Sequence, residues 1–158
     1  MPSEVFRGED TLTVSVWLKN YSGAINTCAM YFGTKQSMPL NYWILNPSNP
    51  AGQLKSVLTD SNNAGEPYNT EIGISPSVAS KGIAGPMTNM GWNHYVTIIT
   101  PEELTVYANG KSIGTVKHTK KVSEFGNEIV AYIGKSAYQA DATYTGFVKA
   151  VKVYDKAL

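Results

Sequence analysis

Charge, cysteine and helical periodicity are all scarce in this chain. Only 16% of its 158 residues are charged, where about 25% is usual for a soluble domain. The polar surface therefore has to come from Ser, Thr, Asn and Gly. Such surfaces suit neutral, polyhydroxylated ligands better than phosphates. The net charge is +1 and no basic stripe runs through the sequence, which argues against nucleic acid as a partner. The densest cations, Lys117, His118, Lys120 and Lys121, read as a solvated strand end. One cysteine, Cys28, sits within "TCAMYF". It permits neither an intrachain disulfide nor a Cys/His zinc pattern and reads as a buried structural thiol. No apolar run approaches about 20 residues, so no membrane insertion is expected. The opening "MPSEVFRGED" lacks an apolar signal core, so the signal of a secreted protein would lie outside this sequence. The sequon Asn20-Tyr21-Ser22 matters only in a glycosylating secretory host.

Catalytic patterns are missing as well. Glycoside hydrolysis needs two carboxylates about 5 Å apart for retention, or about 6.5–9.5 Å for inversion. An E-x-D-x-x-E strand would supply them, and none is present. Glu102 and Glu103 are adjacent after Pro101. Glu66, Glu71, Glu124 and Glu128 fall in loops or at strand edges without a partner at strand spacing. There is no G-x-S-x-G elbow and no H-E-x-x-H motif. The expectation is a chain that is not an enzyme.

Period-two alternation fills the sequence instead. "TLTVSVWLKN" sets Leu12, Val14, Val16 and Leu18 against Thr11, Thr13, Ser15, Trp17 and Lys19. "CAMYFGTK", "NYWILN" and "QLKSVLTD" follow as short strands, and "TEIGISPS" is weakly extended. "WNHYVTIIT" alternates Trp92, His94, Val96 and Ile98 against Asn93, Tyr95, Thr97 and Ile99. "LTVYANGKSIGTV" is a hairpin about Asn109-Gly110, a pair that takes positive φ cheaply. "EIVAYIGKSAY" and "GFVKAVKVYDKAL" close the series. "VASKGIAGPMTNMG" reads as loop, and "SPSVASKG" holds one helical turn at most. Roughly nine to eleven short strands with frequent turns predict an antiparallel β-sandwich or barrel. Without repeat or linker, residues 1–158 read as one domain.

Five segments in order resemble the concanavalin A-like lectin/glucanase superfamily in its laminin-G-like form. They are "LTVSVWLKN", "GWNHYVTIIT", "LTVYANGKSIGT", "AYIGKSAY" and "TGFVKAVKVYDKAL", and together they cover most of the chain. The resemblance implies an antiparallel two-sheet jelly-roll sandwich. Trp92 would plug its core, His94 on the same face would be a hydrogen-bonded core histidine, and Tyr154 would be structural. An extra first strand usual in the family has little room before the Trp17 strand, which would leave an unpaired edge beside residues 147–154. Calcium ligands of the family often involve that region, so calcium is left open. Modules of this kind accompany bacterial extracellular glycosidases, notably arabinofuranosidase-type enzymes. The implied role is noncatalytic, extracellular or cell-surface carbohydrate binding, with arabinan or arabinoxylan as ligand class and neighbouring domains of a parent protein as partners. The alternative is a structural or adhesive module docking a neighbouring domain or host protein.

Sugar binding needs aromatic faces beside amides and carboxylates. The stretches richest in both are "LNYWILNPSNP", "NNAGEPYNTE" and "AYQADATY". They nominate Asn41, Trp43, Tyr68, Tyr138, Asp141 and Tyr144 as ligand-binding residues. Trp43 shares a strand face with Asn41, and Tyr42 with Asn46. Gln139 belongs to the same loop as Tyr138. Asp60, before Ser61-Asn62-Asn63, reads as a turn former with calcium ligation as the outside reading.

Overall fold

The computed structural model describes residues 3–6, 8–21, 27–35, 41–59, 67–75, 81–139 and 141–158. The helical turn expected in "SPSVASKG", Asp60 and Glu66 fall largely or wholly outside them. The described strands are β1 (Leu12–Asn20), β2 (Thr27–Cys28), β3 (Met30–Thr34), β4 (Tyr42–Asn46), β5 (Lys55–Thr59), β6 (Glu71–Ile74) and β7 (Lys81–Ile83). They continue as β8 (Asn93–Ile99), β9 (Glu103–Ala108), β10 (Lys111–Lys117), β11 (Ile129–Ile133), β12 (Ala142–Thr143) and β13 (Gly146–Tyr154).

A larger sheet runs β11-β3-β4-β5-β6-β7 and a smaller one β10-β9-β8-β1-β13. All neighbours in both are antiparallel except β6 and β7, which run parallel. This is the two-sheet jelly-roll sandwich that the sequence predicts. β7 lies in a stretch read as loop. Its pairing is backbone contact at a sheet edge and leaves no apolar alternation in the sequence.

The core lies between the sheets. Val14, Val16, Leu18, Tyr95, Ile99, Leu104 and Val106 from the smaller sheet meet Phe32, Trp43, Leu45, Leu58, Ile72 and Ile74 from the larger. Phe6 enters from the N-terminal 3-10 turn (Ser3–Phe6) and stacks on Phe32 with ring centroids 4.4 Å apart. Each such apolar side chain contributes about 1.5–3 kcal/mol by leaving water. β1 buries the Leu12/Val14/Val16/Leu18 set that its alternation predicts.

β8 takes the opposite parity from the one expected. Asn93, Tyr95, Thr97 and Ile99 point inward, while His94 is half-buried on the outer face and Trp92 is 38% exposed. His94 stacks on Trp17 at 4.9 Å, and its Nε2 lies 2.8 Å from Ser15 Oγ. Neither Trp92 nor His94 belongs to the core. Tyr154, on the edge strand, is only half-buried. The cationic strand end differs too, because His118 and Lys120 are each only 6% exposed and Lys120 lies 3.8 Å from Glu124. Asn20 of the sequon is 5% exposed and its Oδ1 accepts from Tyr144 Oη, so its amide is turned away from solvent.

The Asn109-Gly110 turn has φ of 52° and 78°, the mirror-turn geometry that matches strand twist. Asn109 also works across the sheet. Its Oδ1 accepts from His94 N at 2.9 Å and its Nδ2 donates to Asn93 Oδ1 at 2.9 Å. The hairpin tip is thereby fastened to the start of β8, which explains why hairpin and preceding strand adjoin so closely. Gly146 is required for close approach, since a Cβ there would sit 2.3 Å from the Lys19 carbonyl oxygen.

Candidate functional site: a polar pocket on the outer face of the larger sheet

Strand alternation gives the larger sheet a second, outward face. On β4 it carries Tyr42, Ile44 and Asn46; on β5, Lys55, Val57 and Thr59; on β6, Glu71 and Gly73. Cys28, Tyr31, Tyr42, Ile44 and Val57 form a small apolar cluster there. Ala137 and Tyr138, from the loop after β11, pack on it.

That loop is fixed at both ends. Gly134 N donates to Ala29 O at 2.8 Å, and β12 pairs in parallel with β2 through Ala142–Thr27 and Thr143–Cys28. Between them Ser136 organises the turn. Its Oγ donates to Asp141 Oδ2 at 2.6 Å and accepts from Tyr138 N at 3.0 Å. Two loop side chains, Tyr138 and Asp141, are thus presented over the sheet.

Beneath them lies a pocket of about 210 Å³ lined by Ile44, Asn46, Lys55, Tyr68, Glu71, Tyr138 and Asp141. Its one cation is matched internally. Lys55 Nζ meets Glu71 Oε2 at 2.7 Å, and Tyr42 Oη donates to Glu71 Oε1 at 2.7 Å. The Tyr138 ring stands edge-on to Tyr42 at 5.5 Å, and burial pushes its phenol up to about 12. Burial also raises the Asp141 carboxyl above the usual aspartate range, against the opposing pull of the Ser136 hydrogen bond and the Lys55 charge. Tyr42, deeper, is pushed far up by burial and then by the Glu71 charge. Asn46 is 2% exposed, and its Oδ1 finds no donor among the described residues.

Of the residues nominated from sequence, the structure brings Tyr68, Tyr138 and Asp141 together. It does not bring the other three. Trp43 is fully buried, stacks on Phe32 at 5.3 Å and donates its indole N–H to Ser56 Oγ at 3.2 Å, so it offers no ring face to a sugar. Asn41 shares Trp43's parity and is 9% exposed, off the pocket face. Tyr144 points away, donating to Asn20 Oδ1 at 2.7 Å and packing against the core. Lys55 and Glu71, the latter expected only as a carboxylate without a partner, are pocket residues that the sequence does not nominate. Their signal was a lone lysine in the apolar "LKSVL" and a lone glutamate opening "EIGI". For calcium, no group of three or more His, Cys, Asp or Glu converges among the described residues.

The fold recurs in known proteins. A laminin-G family model matches residues 1–158, the whole chain. The chain belongs to the concanavalin A-like lectin/glucanases superfamily. Comparison with curated proteins gives no match. Among solved structures, domain 4 of AbnA, a GH43 extracellular arabinanase from Geobacillus stearothermophilus, in complex with arabinotriose, is similar at 18% identity with a TM-score of 0.66. That match covers 95% of this chain and 63% of the other, so this chain spans just under two thirds of its length. The CBM40 of the Ruminococcus gnavus IT-sialidase, bound to α2,3-sialyllactose, is similar at 15% identity and a TM-score of 0.69, over 99% of this chain and 80% of that one. Domains LG4-5 of the mouse laminin α1 chain match at 14% identity and a TM-score of 0.57, over 94% of this chain and 36% of that one. At these identities the likeness establishes the shared fold.

Proposed function

We propose that this domain is a noncatalytic carbohydrate-binding module that holds a neutral glycan in the pocket beneath the 134–144 loop. One observation carries the reading. The pocket's lysine is committed to Glu71 at 2.7 Å, and the remaining lining presents a tyrosine pair, an amide and a carboxylate. With Lys55 matched by Glu71, Asp141 leaves the lining without a surplus cation, which disfavours sialate or uronate and favours hydroxyls. Tyr68, 42% exposed, and Tyr138 supply ring surface for stacking. Asp141 accepts from hydroxyls, and a hydroxyl reaching the floor would satisfy Asn46 Oδ1. An extracellular setting beside a glycoside hydrolase, and arabinan or arabinoxylan as ligand class, are the corresponding biological reading. Both draw support from the similarity to an arabinanase domain solved with arabinotriose.

Calorimetric titration with arabinan, arabinoxylan and sialyllactose, in calcium and then in EDTA, tests this. Saturable heat with a neutral glycan is expected, weakened about tenfold by Tyr138→Ala, the scale of one lost aromatic contact. Heat only with sialyllactose, or none with any neutral glycan, would overturn it.

A second reading has its own observation, since Glu71 and Asp141 are two carboxylates lining one pocket and Asp141 holds its proton more tightly than usual. That is the raw material of a glycosidase. Glu71 is already engaged by Lys55 and Tyr42, which argues against a free nucleophile or base. Release of reducing ends from the bound glycan, abolished by Asp141→Asn, would establish hydrolysis instead of binding alone.

A further inference from the structure

The outer face of the smaller sheet carries a different chemistry. Register places Lys149, Trp17 and His94 side by side in one row, and Phe147 beside Lys19 in the next. Trp92, just before β8, falls in this second row, and Tyr21, just after β1, lies one row beyond it opposite Thr145. Phe147 is 49% exposed, Tyr21 53% and Trp92 38%. Their rings are contiguous, with Tyr21 to Phe147 at 5.5 Å and Phe147 to Trp92 at 6.4 Å.

A bulge adds a cation to this surface. Ser15 pairs with Lys152 while Trp17 pairs with Lys149, so two steps on β1 oppose three on β13. Ala150 takes the left-handed conformation there, with φ of 51°. Without the extra residue Lys149 and Lys152 would point to opposite faces; with it, both point outward. Lys149 is also held in place, its ammonium 4.2 Å from the Trp92 ring centroid and 5.4 Å from that of Trp17. No acidic residue occupies these rows, and among the described residues Lys19, Lys149 and Lys152 are in no ion pair.

We infer that this face is a second binding surface, for a carboxylated polysaccharide such as a polyuronate. Sugar rings would lie on Trp92, Phe147 and Tyr21, and their carboxylates would meet Lys149, Lys19 and Lys152. Charge complementarity selects the occupant. A neutral glycan would leave three unpaired lysines unused, and an apolar protein partner would have to bury them. Nucleic acid is less well matched, because three lysines form no extended phosphate track. The inference is independent of the pocket, which lies on the other sheet.

The test is affinity electrophoresis and calorimetry of the intact chain with polygalacturonate in EDTA, at low and raised salt. Binding that weakens with salt is expected. Lys149→Gln and Trp92→Ala should each weaken it about tenfold, as loss of a charge-assisted contact or of a stacking ring implies. Tyr138→Ala should leave it unchanged. Lys19→Gln and Lys152→Gln alter only solvent-facing charge and keep the test open if Trp92→Ala fails to fold. No binding by the unaltered chain, binding insensitive to the lysine substitutions, or tighter binding of single-stranded DNA through the same lysines would each overturn the inference.

Discussion

The two faces of the larger sheet are made by the same strands and share nothing else. On β4, Trp43 and Leu45 are sealed into the core, while Tyr42, Ile44 and Asn46 look toward the pocket. One residue of parity separates a structural side chain from a candidate ligand contact. The inner face is apolar apart from Ser56, whose hydroxyl meets the Trp43 indole and Thr97, and deletion of a large side chain there leaves a cavity. The outer face is small, mixed and partly polar, and its groups are held by specific hydrogen bonds. Substitutions on the two faces should therefore fail in different ways.

The largest effect belongs to the inner face. Trp43→Ala should cost about 3–5 kcal/mol of stability by leaving a cavity beside Phe32, measured by denaturant unfolding. A loss below about 1 kcal/mol would mean that Trp43 is not the core residue its burial implies. Next is Glu71→Gln, which leaves Lys55 without its anion. Lys55 is 19% exposed, so the cost should be about 1–3 kcal/mol, below that of breaking a fully buried pair. A Lys55→Met, Glu71→Gln double variant should recover part of it, and strict additivity in the double-mutant cycle would show that the pair is not coupled.

The smallest effect is a pH dependence at Asp141. Burial raises its carboxyl in the folded state, so between the unfolded and folded values the native chain binds more protons than the unfolded one. Stability from this group is then present below the unfolded aspartate value of about 3.9 and falls as pH rises through the folded value. Thermal unfolding of the native chain against Asp141→Asn should show the native chain losing ground over that window and levelling off above it. A native chain that gained over the same window would reverse the sign.

The legibility of the sequence follows the same division. β1 could be assigned face by face because "TLTVSVWLKN" has a clear polar side. β4 could not, because "YWILN" is apolar or aromatic on both, and nothing local says whether Tyr42 or Trp43 faces inward. β8 misled for a related reason. Its aromatic Trp92 lies one step outside the strand, and the inward set includes Asn93 and Thr97, whose polar groups are satisfied by Asn89, Asn109 and Ser56. The loop holding Tyr138 and Asp141 was legible because aromatic and acidic residues are close together there. The Lys55–Glu71 pair was not, because it joins residues distant in sequence across a sheet whose register only the fold supplies.

The short β2–β12 pairing also has a mechanical meaning. The segment that carries Tyr138 and Asp141 runs on directly into β13, the outermost strand of the opposite sheet. Its last fastenings before β13 are that two-residue ladder, the Tyr144–Gly134 and Tyr21–Thr145 backbone bonds and the Tyr144–Asn20 side-chain bond. Tension on the C-terminal strand is borne first by the β1–β13 ladder, from Thr13–Tyr154 to Asn20–Gly146, and reaches the pocket rim only once that ladder has opened. The rim is thereby shielded from a pull on the end of the chain, and its grip on a glycan would loosen only after the outermost strand has peeled from β1.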